Sequence, residues 1–463
     1  MTHAAPAIAA PDAPGPRGRL LLGSLPEFTG DLLATMADDF PRYGDLIRYR
    51  VGPRTVYVLS HPELAQEVLV RRQREFPKAG GSGGLGVVVG KGLIANPDPD
   101  SWLAQRRMMQ PMFHHKRLAA MGDKMTAAGE RMLGRWAARP AGAPLDMSVE
   151  MMEVTLDIIM QTMFSADVLS EVGRIAPAVA VATEYANHRI FNPLSAPAAW
   201  PTRRNRAFAK AKATLDEIIF GLIRERRAMA ERPGDLLDML LDARDADTDE
   251  QMSDQQIRDE VLTIFAAGHE TTAGTLAFAC YALSQHPAAL ARLHEESDRV
   301  LGGRLPTVDD LPNLPYAQQV FREAMRLYPA APIAGPRRAL ADTDLGGFRI
   351  PAGARLIVSI ANIHRHPALW REPERFDPDR FAQGAAEARH PLAFMPFGAG
   401  PRKCIGNNLA EMEGTLLLAL VAGRHGLELL PGHEVRPRLA ITLRAATGIP
   451  MILRRRALSN SAD

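Results

Sequence analysis

Residues 253–286 read as one helix, longer and more apolar than a surface helix can be. It opens at Ser253-Asp-Gln-Gln256, a capping-box pattern that satisfies the orphan N–H groups of a first turn. It then runs through EVLTIFAAGHETTAGTLAFACYALSQ and stops before Pro287. At 1.5 Å per residue that is roughly 48 Å. Apolar residues occupy nearly every face, so the helix has to cross the middle of its fold. Its centre is nevertheless polar, Gly268-His269-Glu270-Thr271-Thr272. Polar groups buried mid-helix are costly unless something uses them. This segment is therefore the first candidate for chemistry.

The remaining chain reads as mainly α with a small β region. TLDEIIFGLIRERRAMAE and PYAQQVFREAMRLYP carry apolar residues at helical spacing. Two β-hairpins are expected, LIRYRVGPRTVYVLS turning at Gly52-Pro53 and GGFRIPAGARLIVSI turning at residues 351–353. Each precedes a helix-start signal, HPELAQEVLVRR or HPALW, with proline at an early helical position. Residues 1–17, rich in Ala and Pro, are expected to be disordered, and residues 18–463 to form a single domain.

Composition excludes several classes. With 55 basic against 53 acidic side chains the net charge is +2, which lacks the basic excess of a nucleic-acid binder. Two cysteines, Cys280 and Cys404, allow neither a disulfide framework nor a CxxC zinc site. The N-terminus lacks the charged and apolar regions of a signal peptide, and no run of 18 apolar residues occurs. A cytoplasmic protein without stable membrane insertion is expected.

Cys404 lies in Phe394-Met-Pro-Phe397-Gly-Ala-Gly400-Pro-Arg402-Lys-Cys404-Ile-Gly406. Glycines and prolines make a tight loop, and IGNNLAEMEGTLLLALVAG follows with a helical pattern. A cysteine at a helix N-terminus beside Arg402 and Lys403 is stabilised as a thiolate, a soft and strong ligand for haem iron. Cys280, set in the apolar half of the long helix, reads as an inert core residue.

The pattern F-x-x-G-x-R-x-C-x-G around Cys404 resembles the cysteine loop of the cytochrome P450 family at every position. Three further segments resemble family motifs in order. Glu323-Ala-Met-Arg326 is similar to the E-x-x-R pair, and Pro373-Glu-Arg375-Phe376 to the P-E-R-F segment. Ala267-Gly-His-Glu270-Thr271-Thr272 is similar to the central-helix motif, with Glu where many relatives carry Asp. Trp102-Leu-Ala-Gln-Arg106 resembles the W-x-x-x-R of a propionate-holding helix, its i, i+4 spacing placing both donors on one face.

The resemblance implies the P450 fold and haem b, with Cys404 as the iron's protein ligand. The haem would lie between the long helix and the helix after Cys404. Phe397, Gly406 and Ala267 would pack around it; Trp102, Arg106, Arg402 and Arg337 (or Arg338) would hold its propionates. Glu323, Arg326 and Arg375 would form a buried ion network. Glu270 and Thr271 would relay protons to bound dioxygen, a carboxylic acid followed by a hydroxyl being suited to that task. Thr271 could also hydrogen-bond the Ala267 carbonyl at i−4. His269, His114-His115 and His364-Arg-His366 are read as having no metal or catalytic role.

The implied activity is hydroxylation or epoxidation, using O2, of a mainly apolar small molecule of the terpenoid, steroid, macrolide or fatty acyl class. The pocket would be lined by residues 85–93, 185–193, Phe265, Ala266 and Ala267, residues 331–334 with Ile333 and Ala334, and a turn at Ile441 and Thr442. Arg189 reads as a surface residue that could otherwise anchor a carboxylate. Electrons would come from a separate ferredoxin or flavodoxin with its reductase. Arg107, Lys116, Arg117 and Lys403 would form the docking face, and the protein would be a monomer. A peroxide-driven peroxygenase and a non-catalytic haem sensor are the alternatives; neither needs an acid–alcohol pair.

Overall fold

The computed structural model describes residues 10–79, 84–164, 172–192, 195–245, 247–385 and 388–456. The chain divides into two compact units, residues 1–80, 331–374 and 387–404 in one, and residues 81–330, 375–386 and 405–463 in the other. The fold is mainly α with small sheets, as expected.

The first unit is built on a four-stranded sheet in the order Leu46–Val51, Arg54–Leu59, Arg355–Ser359, Ile333–Arg338. The expected hairpin at Gly52-Pro53 forms, with Leu46 opposite Leu59 and Gly52 at φ 58°. Its inward residues Tyr57 and Leu59 join Phe76, Leu356, Val358 and Met395 in one apolar cluster.

The second expected hairpin does not form. Phe348–Ile350 pairs instead with Thr343–Leu345, and Arg355–Ser359 runs parallel to Arg54–Leu59. The reason lies in Gly346-Gly347, both at positive φ, 59° and 82°. A two-residue loop with both φ positive matches strand twist, so it claims Phe348–Ile350 for its own hairpin. HPALW is likewise not a helix: Leu369 and Trp370 N–H both return to the His366 carbonyl and the chain turns away. Glu372 at φ 47° followed by Pro373 forbids helical continuation.

The reading of residues 1–17 as disordered is corrected over residues 10–17. Ala13 is buried, and the Pro14 carbonyl accepts the Arg48 N–H at 2.8 Å. A Cβ on Gly15 would lie 1.9 Å from the Arg48 carbonyl, so only glycine permits this contact. Residues 1–9 lie outside the described residues.

The second unit is helical. The long helix spans Asp254–Gln285, 32 residues, with the Ser253 hydroxyl accepting the Gln256 N–H at 3.2 Å and Pro287 opening the next helix. It packs on helix Met147–Phe164, where a Cβ on Gly268 would come within 2.7 Å of Ile159 Cδ1. Its first turns are not apolar on every face, because Arg258, Asp259 and Glu260 are all buried. They clamp residues 88–93: Arg258 donates to the Val88 carbonyl, Asp259 accepts the Lys91 N–H, and Glu260 accepts the Leu93 N–H at 2.9 Å. The approach is close enough that a Cβ on Gly92 would meet Thr263 Oγ1 at 1.9 Å.

Candidate active site

On the long helix, the Thr271 hydroxyl donates to the Ala267 carbonyl at 2.7 Å, the local i−4 bond expected from spacing. That bond uses the hydroxyl hydrogen and leaves the Oγ1 lone pairs to accept from elsewhere. Thr271 and Ala267 are both partly exposed. Glu270 is buried, and both its oxygens are engaged from the C-terminal segment. Thr442 Oγ1 donates to Oε2 at 3.0 Å, and the Arg444 guanidinium pairs with Oε1. Arg444 escaped sequence reasoning because only tertiary folding brings it to Glu270.

His269 is buried and its Nδ1 lies 2.6 Å from the Phe265 carbonyl; burial lowers its pKa, which keeps it neutral. Its own carbonyl accepts from Thr155. His269 and Phe265 face a cavity of about 410 Å³ with Glu270, Arg444, Ile441, Glu184 and Asn187. At 100° per residue Phe265 and Ala267 point to opposite sides of the helix. Phe265 and Ile441 therefore face the space behind Glu270, and Thr442 serves to hold that carboxylate.

Cys404 is exposed and its N–H donates to the Phe397 carbonyl at 2.9 Å. The loop turns through Gly398 and Gly400, both at φ 70°. A Cβ on Gly400 would lie 2.0 Å from the Leu69 carbonyl, so this glycine seats the loop on the first unit's core. Gly406 meets no protein atom closer than 3.9 Å. Cys280, by contrast, is buried, and burial pushes its thiol up to about 12.

The first unit also gathers cations. Arg337 is buried and its Nε finds no hydrogen-bond partner among the described residues. Lys78, opposite it in an isolated bridge, has its ammonium pKa lowered to about 8 by burial and by the charges of Arg402 and Arg337. A buried guanidinium with an orphaned donor calls for an anion. An exposed cysteine on the same unit, with three cations nearby in that unit, fits the thiolate and propionate needs of haem. Lys78 was not anticipated from the sequence.

The other expected residues fall as follows. Trp102 and Arg106 share one face of helix Pro99–Met109, the guanidinium 5.7 Å from the ring centre. Arg326 forms a two-pronged ion pair with Glu323, both bonds 2.7 Å and both side chains fully buried. Arg375 adds its carbonyl, which accepts from Arg326 at 3.0 Å. The Asp377 N–H and Arg380 complete the surroundings of Glu323. Ala266 is partly exposed, and Ile333 and Ala334 stand partly buried at the start of their strand. Arg189 is occupied with the Ala196 carbonyl. Pro193 lies outside the described residues.

One expectation is corrected, and one histidine has partners that sequence spacing does not reveal. Arg107 is ion-paired with Asp245 and Asp247, at 3.0 and 2.5 Å, so its charge is locally neutralised rather than displayed. His366 does have partners: Asp45 at 3.1 Å and the His61 ring at 5.3 Å. Backbone capping accounts for this cluster. Nδ1 of His61 accepts the Glu63 N–H and Nδ1 of His366 accepts the Ala368 N–H. Each ring therefore carries its proton on Nε2, the nitrogen a metal would need bare.

A sequence profile described as Cytochrome P450 matches residues 13–449. The chain is 38% identical over 407 residues to Cyclooctatin synthase of Streptomyces melanosporofaciens, covering 88% of each chain. It is 37% identical to Cyclooctat-9-en-7-ol 5-monooxygenase of the same species, over 85% of this chain and 84% of that one. Pentalenene oxygenase of Streptomyces avermitilis is 35% identical, over 85% and 87%. Among solved structures, the cytochrome P450DA heme domain superposes with TM-score 0.88 at 28% identity, covering 97% of this chain and 99% of that one.

Proposed function

The chain belongs to the cytochrome P450 family and is a haem-dependent monooxygenase, and from that premise we propose that it oxidises a cyclic terpenoid with haem b as cofactor. Bound haem iron supplies dioxygen activation and oxygen transfer, and a thiolate ligand favours O–O cleavage. The residues present fit that group. Cys404 Sγ would ligate the iron, and Arg337, Arg402 and Lys78 of the same unit would hold the propionates. The family match running over 13–449 supports reading both units as one catalytic domain.

The observation that carries the reading is the arrangement at Glu270 and Thr271. Thr271 gives its hydrogen to the Ala267 carbonyl, so its oxygen accepts a hydrogen bond from a water. Glu270 is the adjoining carboxyl, and it lines the cavity of about 410 Å³. Thr442 and Arg444 on its two oxygens hold that carboxyl in place beside Thr271. A peroxygenase, whose peroxide brings its own protons, needs no relay of protons from solvent, and a sensor needs none.

Similarity to enzymes named for cyclooctatin, cyclooctat-9-en-7-ol and pentalenene supports a terpenoid substrate. Small, uncharged Ala266 and Ala267 on the long helix suit binding by apolar burial. A separate ferredoxin with its reductase supplies the electrons, and Lys116 and Arg117 remain candidates for its docking face. Titrating the ferric protein with cyclic sesquiterpenes, diterpenes and their alcohols tests the substrate class. A high-spin Soret shift that weakens in Ala267→Phe is expected. Shifts only with small charged ligands, undisturbed by Ala267→Phe, would overturn it.

A further inference from the structure

Leu20, Leu21 and Leu22 stand in solvent, 89%, 83% and 47% exposed. Three consecutive leucines left outside a fold that buries its other apolar runs need a reason. They do not dangle. Arg19 and Gly23 exchange N–H···O bonds of 2.9 and 2.8 Å, closing a loop that holds the three leucines at its tip. The Leu22 carbonyl accepts the Gly52 N–H at 3.0 Å, and Ser24 N–H reaches the Arg50 carbonyl. The Arg50 guanidinium bonds the carbonyls of both Arg19 and Leu20. Gly18 and Gly23 sit at φ 63° and 61°, and a Cβ on Gly23 would lie 1.9 Å from the Arg50 carbonyl. The backbone is thus built to present this tip rigidly.

Its surroundings are basic. Arg17, Arg19, Arg50 and Arg54 are exposed around the tip or on the hairpin that anchors it. The nearby carboxylates are Glu27, 4.0 Å from Arg19, and Asp12, tied to Arg48. An apolar tip ringed by arginines matches one kind of partner closely. Leucines enter the acyl boundary of a bilayer while guanidinium groups stay at anionic headgroups. A protein partner would need an apolar socket with an acidic rim, and nothing on this unit argues for one.

We propose that residues 17–23, with Arg50 and Arg54, dock the protein peripherally on a lipid surface bearing anionic headgroups. No helix among the described residues is long and apolar enough to cross a membrane, so the contact is interfacial and reversible. The docking does not depend on the terpenoid reading.

The test is co-sedimentation of the haem-loaded full chain with phosphatidylcholine vesicles, with and without phosphatidylglycerol. Binding to the anionic vesicles at low salt is expected, with little to phosphatidylcholine alone. Leu20→Ser/Leu21→Ser/Leu22→Ser should weaken it by about tenfold or more. Arg17→Glu/Arg54→Glu should remove the dependence on phosphatidylglycerol. Haem content and far-UV circular dichroism verify that the variants fold, and the single Leu21→Ser, changing the side chain at the middle of the tip, should retain a measurable part of the loss. No binding by the wild type, or equal binding by the triple variant, overturns the proposal. So does a wild-type dimer in sedimentation velocity that the triple variant abolishes, without vesicle binding.

Discussion

Replacing Glu260 with glutamine should remove a large part of the stability the protein loses as pH rises. Glu260 is fully buried beneath residues 88–93, with Oε2 on the Leu93 N–H and Oε1 lacking a partner among the described residues. Burial raises its pKa from 4.5 to about 8; the Leu93 N–H opposes this and the Asp259 charge adds to it. At neutral pH the folded chain therefore keeps a proton that the unfolded chain releases. Below the unfolded pKa both states are protonated and the difference vanishes. Between 4.5 and about 8 the native state binds more protons, so stability falls by about 1.4 kcal/mol per pH unit. At pH 7 the accumulated loss is about 3 kcal/mol, and above about 8 it is complete. Glutamine keeps the acceptor for Leu93 and does not titrate. Glu413, also buried and raised to about 8, is common to both proteins and cancels in the comparison. Urea denaturation followed by circular dichroism across this range should give curves for wild type and Glu260→Gln that converge at acid pH. They should diverge in favour of the variant as pH rises. Parallel curves would refute the reasoning.

Three other outcomes follow from named contacts. Thr271→Ala should leave haem and substrate binding intact while lowering product formed per NAD(P)H consumed and raising peroxide; unchanged coupling would count against the relay. Glu323→Ala strands the fully buried Arg326 and should cost about 3–5 kcal/mol, read as a lower urea midpoint and a poor yield of haem-loaded protein. Gly400→Ala, whose Cβ would strike the Leu69 carbonyl, should abolish haem loading, whereas Gly398→Ala, with open space around it at the same φ, should suffer only backbone strain. Equal loading of the two would show that the close approach is unimportant.

Much of the candidate site was legible in the sequence because its decisive relations are local. The Thr271 bond to Ala267 is an i−4 contact, the Glu323–Arg326 pair is i, i+3, and Trp102 with Arg106 is i, i+4. The cysteine loop is a continuous run whose glycines announce a tight path. What stayed hidden is what folding brings from afar. Arg444 lies 174 positions from Glu270 and Lys78 more than 250 from Arg337. The Arg258–Glu260 clamp was masked by the apolar average of its helix, since its loop partners are backbone N–H and C=O groups carrying no side-chain signature. The second hairpin forms one turn earlier in the chain because Gly346-Gly347, both at positive φ, makes a stronger turn than residues 351–353. Residues 10–17 look disordered by composition, yet backbone bonds to Arg48 and Arg349 order them.

The central claim is that Cys404 is the thiolate ligand of a P450 haem, and the ferrous carbonyl spectrum tests it most directly. Wild type and Cys280→Ser should both show the red-shifted Soret band of thiolate ligation, and Cys404→His should lose it. Loss of the band in Cys280→Ser, or its survival in Cys404→His, would contradict the assignment.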